Sequence, residues 1–171
     1  MGASGIKTAL EKLGQTFASQ PEKALVKHAP VTATLESGLA CRITGAAGEE
    51  LKTDMPGAMG GNASAPSPGW LFRASLASCL TTVIGMRAAQ LGIDLSKLEV
   101  AVESEGNNKG MIGLDDRISA GMSGLRTTVQ IAARNRTPQE LDELVTWAEK
   151  HSPVSCTLRE SPCNTLVIRA A

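Results

Sequence analysis

Residues 68–93, PGWLFRASLASCLTTVIGMRAAQLGI, decide how the rest of the chain is read. Pro68 suits the first turn of a helix, where its missing N–H leaves no bond unmade, and Ser67 before it is a good N-cap. Gly92 is the residue type that most often ends a helix in the left-handed conformation. The pattern predicts one long helix from Pro68 to Leu91. Leu71, Phe72, Leu76, Leu80, Val83, Ile84 and Met86 leave it no continuous polar face, and a helix apolar nearly all round is buried on most sides. One domain of 171 residues rarely wraps a helix completely, so a subunit interface is expected. Small residues such as Ala74, Ala77, Gly85 and Ala88 would let a partner helix approach closely. The length also suits a membrane span, but Arg73 and Arg87 lie within it, and charge there is costly in lipid. A soluble cytoplasmic protein with no membrane partner is the expectation.

The flanks read as mixed structure. Ile6, Leu10, Leu13 and Phe17 recur at helical spacing, which predicts an amphipathic helix over residues 4–19. VTATLES, LACRITG and EELKTD are β-like runs separated by Ser-Gly and Ala-Ala-Gly turns, the pattern of an antiparallel meander. MPGAMGGNASAPSP follows, a Gly, Ala, Ser and Pro stretch of the length at which loops are often functional or mobile. Beyond the long helix, KLEVAVESEG and LRTTVQIAA read as strands around a turn-rich loop, NNKGMIGLDD. TPQELDELVTWAEKH carries a capping box, Thr137 with Glu140, and Pro138 at the first helical position. SPVSCTL reads as a second, shorter helix capped by Ser152, and CNTLVIRAA as a closing strand. Strands, helix, two strands, helix and strand make an α+β fold in a single domain over 1–171, with 1–22 a helical extension.

Composition removes several functions. Seventeen Lys and Arg balance 17 Asp and Glu, and aromatics are 2% of the chain, so neither a basic patch nor stacking platforms for nucleic acid are present. No charged, then apolar, then small-residue leader opens the sequence, so no secretory signal is expected. Cys41, Cys79, Cys156 and Cys163 form no CxxC pair and no zinc-like spacing with histidine, so no metal is expected and the thiols should be free in a reducing compartment.

Cys79 is the candidate of most consequence. It lies eleven residues into the predicted helix, beyond reach of that helix's dipole, which fades within one turn. A reactive Cys79 therefore needs an arginine, lysine or histidine delivered by another element. Without one it is an inert buried thiol. Cys156 lies about one turn into its helix, where the dipole favours a thiolate. His151, at the end of the preceding helix, reads as a capping cation rather than a base. Cys41 and Cys163 read as structural. Trp70 and Phe72, at the start of the long helix, read as core or dimer contacts that could also wall a pocket over Cys79.

These stretches carry a family resemblance. TDMPGAMGGNASAPSPGWLFRASLASCL, residues 53–80, resembles the OsmC/Ohr signature: an acidic-Pro turn, Gly-Gly, a Ser-Pro helix start and an Ala-Ser-Cys helix. AEKHSPVSCTL, residues 148–158, resembles the family's second junction, and the likeness covers about 30–170. It implies an α+β fold of antiparallel sheets packed around a long buried central helix, in an intertwined homodimer. It also implies a thiol-dependent peroxidase that reduces organic hydroperoxides in oxidative-stress defence, with no cofactor beyond an external dithiol reductant. Cys79 would then be the peroxidatic thiol, and a small apolar hydroperoxide the substrate.

Three positions depart from the pattern. Ser152 stands where the family carries its second cysteine, and Cys156, one turn later, is the possible resolving thiol. Gly69 stands where peroxidase members often carry a glutamate. The activating arginine usually comes from the N-terminal sheet, where Arg42 is the possible thiolate-activating residue. These departures keep open a second function, a catalytically degenerate dimer that binds a small apolar ligand in the same pocket.

Overall fold

The structure, a computed structural model, describes residues 2–170. The chain divides into two compact units, Met1–Ser75 and Leu76–Ala171. The first opens with a helix, α1 (Ala3–Ser19), whose Ile6, Leu10 and Phe17 are half-buried, as their spacing predicts, while Leu13 of the same series is exposed. A three-stranded antiparallel sheet follows in sequence order: β1 (Thr32–Ser37), β2 (Ala40–Thr44) and β3 (Glu50–Thr53). Its register pairs Thr34 with Arg42 and Arg42 with Lys52. The cross-strand geometry draws Glu36 against Arg42, Nε to Oε1 at 2.8 Å, with Lys52 at 3.6 Å. The hydrogen bond from Arg42 holds the Glu36 carboxyl below its ordinary range.

The Gly- and Pro-rich stretch after β3 is held in place by one carboxylate. Asp54, 1% exposed, accepts bonds from the backbone N–H groups of Met55, Asn62 and Ser64 and from the Ser64 hydroxyl, all between 2.7 and 3.1 Å. Gly61 is required inside this turn, because a Cβ would run into the Met55 carbonyl oxygen. Gly60, at φ +86°, occupies the left-handed region.

The long helix, α2 (Pro68–Leu91), starts in the first unit and continues into the second. Its ends follow the sequence. Ser67 Oγ accepts the Trp70 N–H at 3.3 Å. At the other end Gly92 sits at φ +66°, its own N–H donates to Ala89, and the Ile93 N–H donates to Ala88 at 2.9 Å, a Schellman termination. Within the second unit Leu76, Leu80, Ile84 and Ala88 recur every four residues and form one buried stripe. Leu80, Ile84 and Ala88 meet Leu144 and Ala148 of α4 (Pro138–His151). They also meet one face of a two-stranded antiparallel hairpin, β4 (Leu95–Gly106) and β5 (Met122–Ala133). The hairpin register sets Leu98 opposite Ile131 and Val100 opposite Val129, so the inward residues alternate as a half-buried sheet requires. Burying an Ile or Leu side chain contributes about 2 kcal/mol, so this stripe is the main tie between α2 and its neighbours.

Outside its stripe α2 is not covered within one chain, in keeping with the reading that one domain does not wrap it: Trp70, Phe72, Met86 and Leu91 remain exposed. Two expectations need correction. CNTLVIRAA forms no strand over 163–170, and Leu166, Val167 and Ile168 are largely exposed, because a strand needs an edge to pair with and the segment meets none. The turn-rich loop contains a one-turn helix, α3 (Asn108–Met111), started by Asn107, whose side chain accepts the Lys109 N–H.

Hydrogen bonding lowers the Asp54 pKa below its ordinary value of 3.8, the largest contribution coming from the Ser64 N–H. That contribution to stability is present above the unfolded value and is lost as pH falls through the lower folded value. Asp54→Asn should therefore unfold at lower denaturant concentration than the wild type at pH 7. The gap should close as the pH falls below 3.8. Paired urea titrations across pH would reveal it.

Candidate functional site

The site is built where α2, α4 and α5 (Pro153–Glu160) meet in the second unit. α4 begins with the capping box read from sequence: Thr137 Oγ1 accepts the Glu140 N–H at 3.2 Å, and the Thr137 N–H donates to Glu140 Oε2 at 2.7 Å. Fourteen residues later it ends at His151, whose Nδ1 lies 2.6 Å from the Trp147 carbonyl oxygen. A carbonyl only accepts, so Nδ1 carries the proton and the ring caps the helix. The His151 ring also stacks on Trp147, centroids 3.8 Å apart, and the Arg87 guanidinium lies 4.3 Å from the Trp147 ring centre. A cation on indole contributes about 0.5–1 kcal/mol when exposed. The stack fixes the wall that Trp147 presents.

Ser152 follows, fully buried, and caps α5 by accepting the Ser155 N–H at 3.4 Å. Its hydroxyl donates to Cys79 Sγ at 3.3 Å. The thiol deep in α2 thus receives a polar contact, but from the start of a different helix rather than from a cation. From Cys79 an apolar cleft of about 430 Å³ runs along α2 past Thr82, Val83 and Met86, with Trp147 and His151 on its far side. The lining has few polar groups, the character of a small-molecule site with one chemically distinct atom at its head.

The structure brings only some of the sequence candidates together. Cys79 lies at the cleft with Ser152. Cys156 sits on α5, its thiol directed at the Lys150 carbonyl at 3.2 Å, and Arg159 donates to its sulfur at 3.2 Å. Arg159 is also paired with Glu149. Arg42 belongs to the first unit, bound by Glu36, and Trp70 and Phe72 stand half-exposed on the opening turns of α2. Cys41 is on β2 and Cys163 is exposed; all four cysteines are free thiols. Among the described residues no three His, Cys, Asp or Glu side chains stand together as a metal site. The sequence shows Ser152 as a cap and as the departure at the family's second cysteine, but not its contact with Cys79. The Ser-Pro step marks it as a cap, but nothing local says what its hydroxyl touches.

The OsmC-like protein family matches residues 60–166. The chain belongs to that family. Solved structures agree on the fold. An OsmC-like protein from Mycoplasma pneumoniae is 19% identical with a TM-score of 0.66, over 79% of this chain and 89% of that one. An osmotic stress and detoxification response protein from Psychrobacter arcticus is 19% identical with a TM-score of 0.61, over 78% and 90%. The organic hydroperoxide resistance protein OhrB of Bacillus subtilis is 24% identical with a TM-score of 0.52, over 79% and 93%. No curated protein matches the sequence. The expected α+β fold, antiparallel sheets with one long helix, is that of this family.

If the cleft is the route to Cys79, narrowing it should protect the thiol. Met86→Trp should slow modification of Cys79 by a bulky maleimide about tenfold, roughly 1.4 kcal/mol of barrier. Cys163 should react as before, as peptide mass mapping would show.

Proposed function

We propose that this OsmC-like protein is a cytoplasmic thiol-dependent peroxidase that reduces organic hydroperoxides through Cys79. The observation that carries this reading is a free thiol at the head of an apolar cleft with a hydroxyl donor 3.3 Å from its sulfur. An alkyl group fits such walls better than hydrogen peroxide does. The Cys79 thiolate attacks one peroxide oxygen, the O–O bond breaks, and the departing alkoxide takes a proton to leave as alcohol. The sulfur is left as a sulfenic acid. An external dithiol then returns it to the thiol, directly or after a disulfide with Cys156. That second route requires the Cys156 sulfur to leave Arg159 and the Lys150 carbonyl. Arg42, its guanidinium oriented by Glu36, is the proposed cation for the Cys79 thiolate, and Arg42→Gln should then slow the first step. The names of the organic hydroperoxide resistance relatives are in keeping with this chemistry.

The working unit in this reading is an intertwined homodimer. The uncovered apolar positions of α2, Trp70 and Phe72 among them, and the exposed run Leu166–Ile168 offer surface that a second copy would cover. Light scattering should give about twice the chain mass of 17.8 kDa. Ile168→Ser should shift the species toward one chain.

Consumption of cumene hydroperoxide with excess dithiothreitol tests the activity. Wild type should turn over, Cys79→Ser should not, and a loss in Cys156→Ser would assign Cys156 the resolving step. A wild type no faster than Cys79→Ser would sink the peroxidase reading. It would leave the cleft as a binding site for a small apolar ligand.

A further inference from the structure

We propose that Ser152 is a positioning residue for Cys79. Its hydroxyl holds the sulfur first as thiolate and then as sulfenate, so that a thiol entering through the cleft, not a thiol of the same chain, resolves the oxidised cysteine. The redox half of this inference rests on the peroxidase reading; the hold on the sulfur does not.

The argument starts from the single hydroxyl proton. Ser152 is 0% exposed, so its oxygen cannot turn to water, and a buried hydroxyl left unpaired is destabilising. The oxygen accepts the Ser155 N–H at the start of α5, and the proton points at Cys79 Sγ. When Cys79 is a thiol, either partner can donate. When it is a thiolate only Ser152 can, and a bond to a charged acceptor is about twice as strong. The Ser155 N–H, the hydroxyl and the sulfur form a chain in which each bond polarises the next. Through it the positive end of α5 acts on a sulfur that its own helix cannot help. The charged and titratable groups on the packed helices include His151 and Arg87 on the Trp147 stack, and Cys156 with Arg159 and Glu149; Arg42 of the first unit is the proposed cation.

The same placement decides the oxidised state. The group touching Sγ is an alcohol, which cannot form a disulfide. Cys156, the next thiol along, is directed at the Lys150 carbonyl and is not among the cleft-lining residues. The sulfenic acid therefore waits for a thiol from outside. One thiol condenses with it to a mixed disulfide and releases water; a second attacks that disulfide, regenerates Cys79 and leaves as the oxidised pair.

The test has a redox-independent arm. In a background lacking the other three cysteines, the pH dependence of Cys79 alkylation by iodoacetamide is compared for Ser152, Ser152→Ala and the near-isosteric Ser152→Cys. Circular dichroism checks that α5 survives. The expected result is a profile moved to higher pH in Ser152→Ala, with alkylation at pH 7 slower by about tenfold. In the otherwise native chain, one equivalent of cumene hydroperoxide should leave a dimedone-reactive sulfenic acid at Cys79. Under the same treatment Ser152→Cys should close an intramolecular disulfide instead. Coincident alkylation profiles in folded variants would overturn the proposal, and so would a Cys79–Cys156 disulfide in the wild type. A shifted profile without hydroperoxide turnover supports the hold on the sulfur and removes only the peroxidase reading.

Discussion

The second unit depends on one stripe. Leu76, Leu80, Ile84 and Ala88 repeat every four residues along α2, and the last three insert between α4 and the β4–β5 hairpin. A four-residue period keeps these side chains nearly in line over three turns. The contact therefore fixes the rotation of α2 about its axis as well as its position. Once that rotation is set, the adjoining row, Cys79, Thr82, Val83 and Met86, has to face the cleft beside Trp147. The chemistry of the cleft is a consequence of how the core packs.

A second constraint acts at the α4–α5 junction. His151 ends one helix by binding back to Trp147, and Ser152 starts the next by capping Ser155. Two helix ends are satisfied within two adjacent residues, which leaves no slack in the chain between them. Ser152 is thereby held against Cys79 without a loop that could adapt. Cys156, one turn further on, is committed to Lys150 and Arg159. A cap that local sequence explains by itself also serves as the polar partner of a thiol 73 residues away.

In the first unit a buried carboxylate has the corresponding role. Four donors converge on Asp54 and order a stretch whose composition alone suggests mobility. Gly61 is the residue that lets the backbone fold back that far. Low periodicity and many small residues describe such a loop poorly, because its order comes from side chain-to-backbone bonds that no hydrophobic pattern reports.

Local rules determined much of this protein from sequence. Pro68, Ser67 and Gly92 bounded α2; Thr137 with Glu140 started α4; β-like runs between turn residues marked β1 to β3, and alternation marked β4. Each rests on neighbours within a few residues, where backbone geometry leaves few choices. The motifs around Cys79 and Ser152 also carried the family. Tertiary structure decided the rest. It turned Cys79 toward the cleft, placed a hydroxyl from another helix at its sulfur, sent Cys156 to Arg159, and left 163–170 without a strand partner. A thiol's neighbours and a strand's edge are contacts between residues far apart in the chain. Spacing along a sequence does not encode the packing that brings them together.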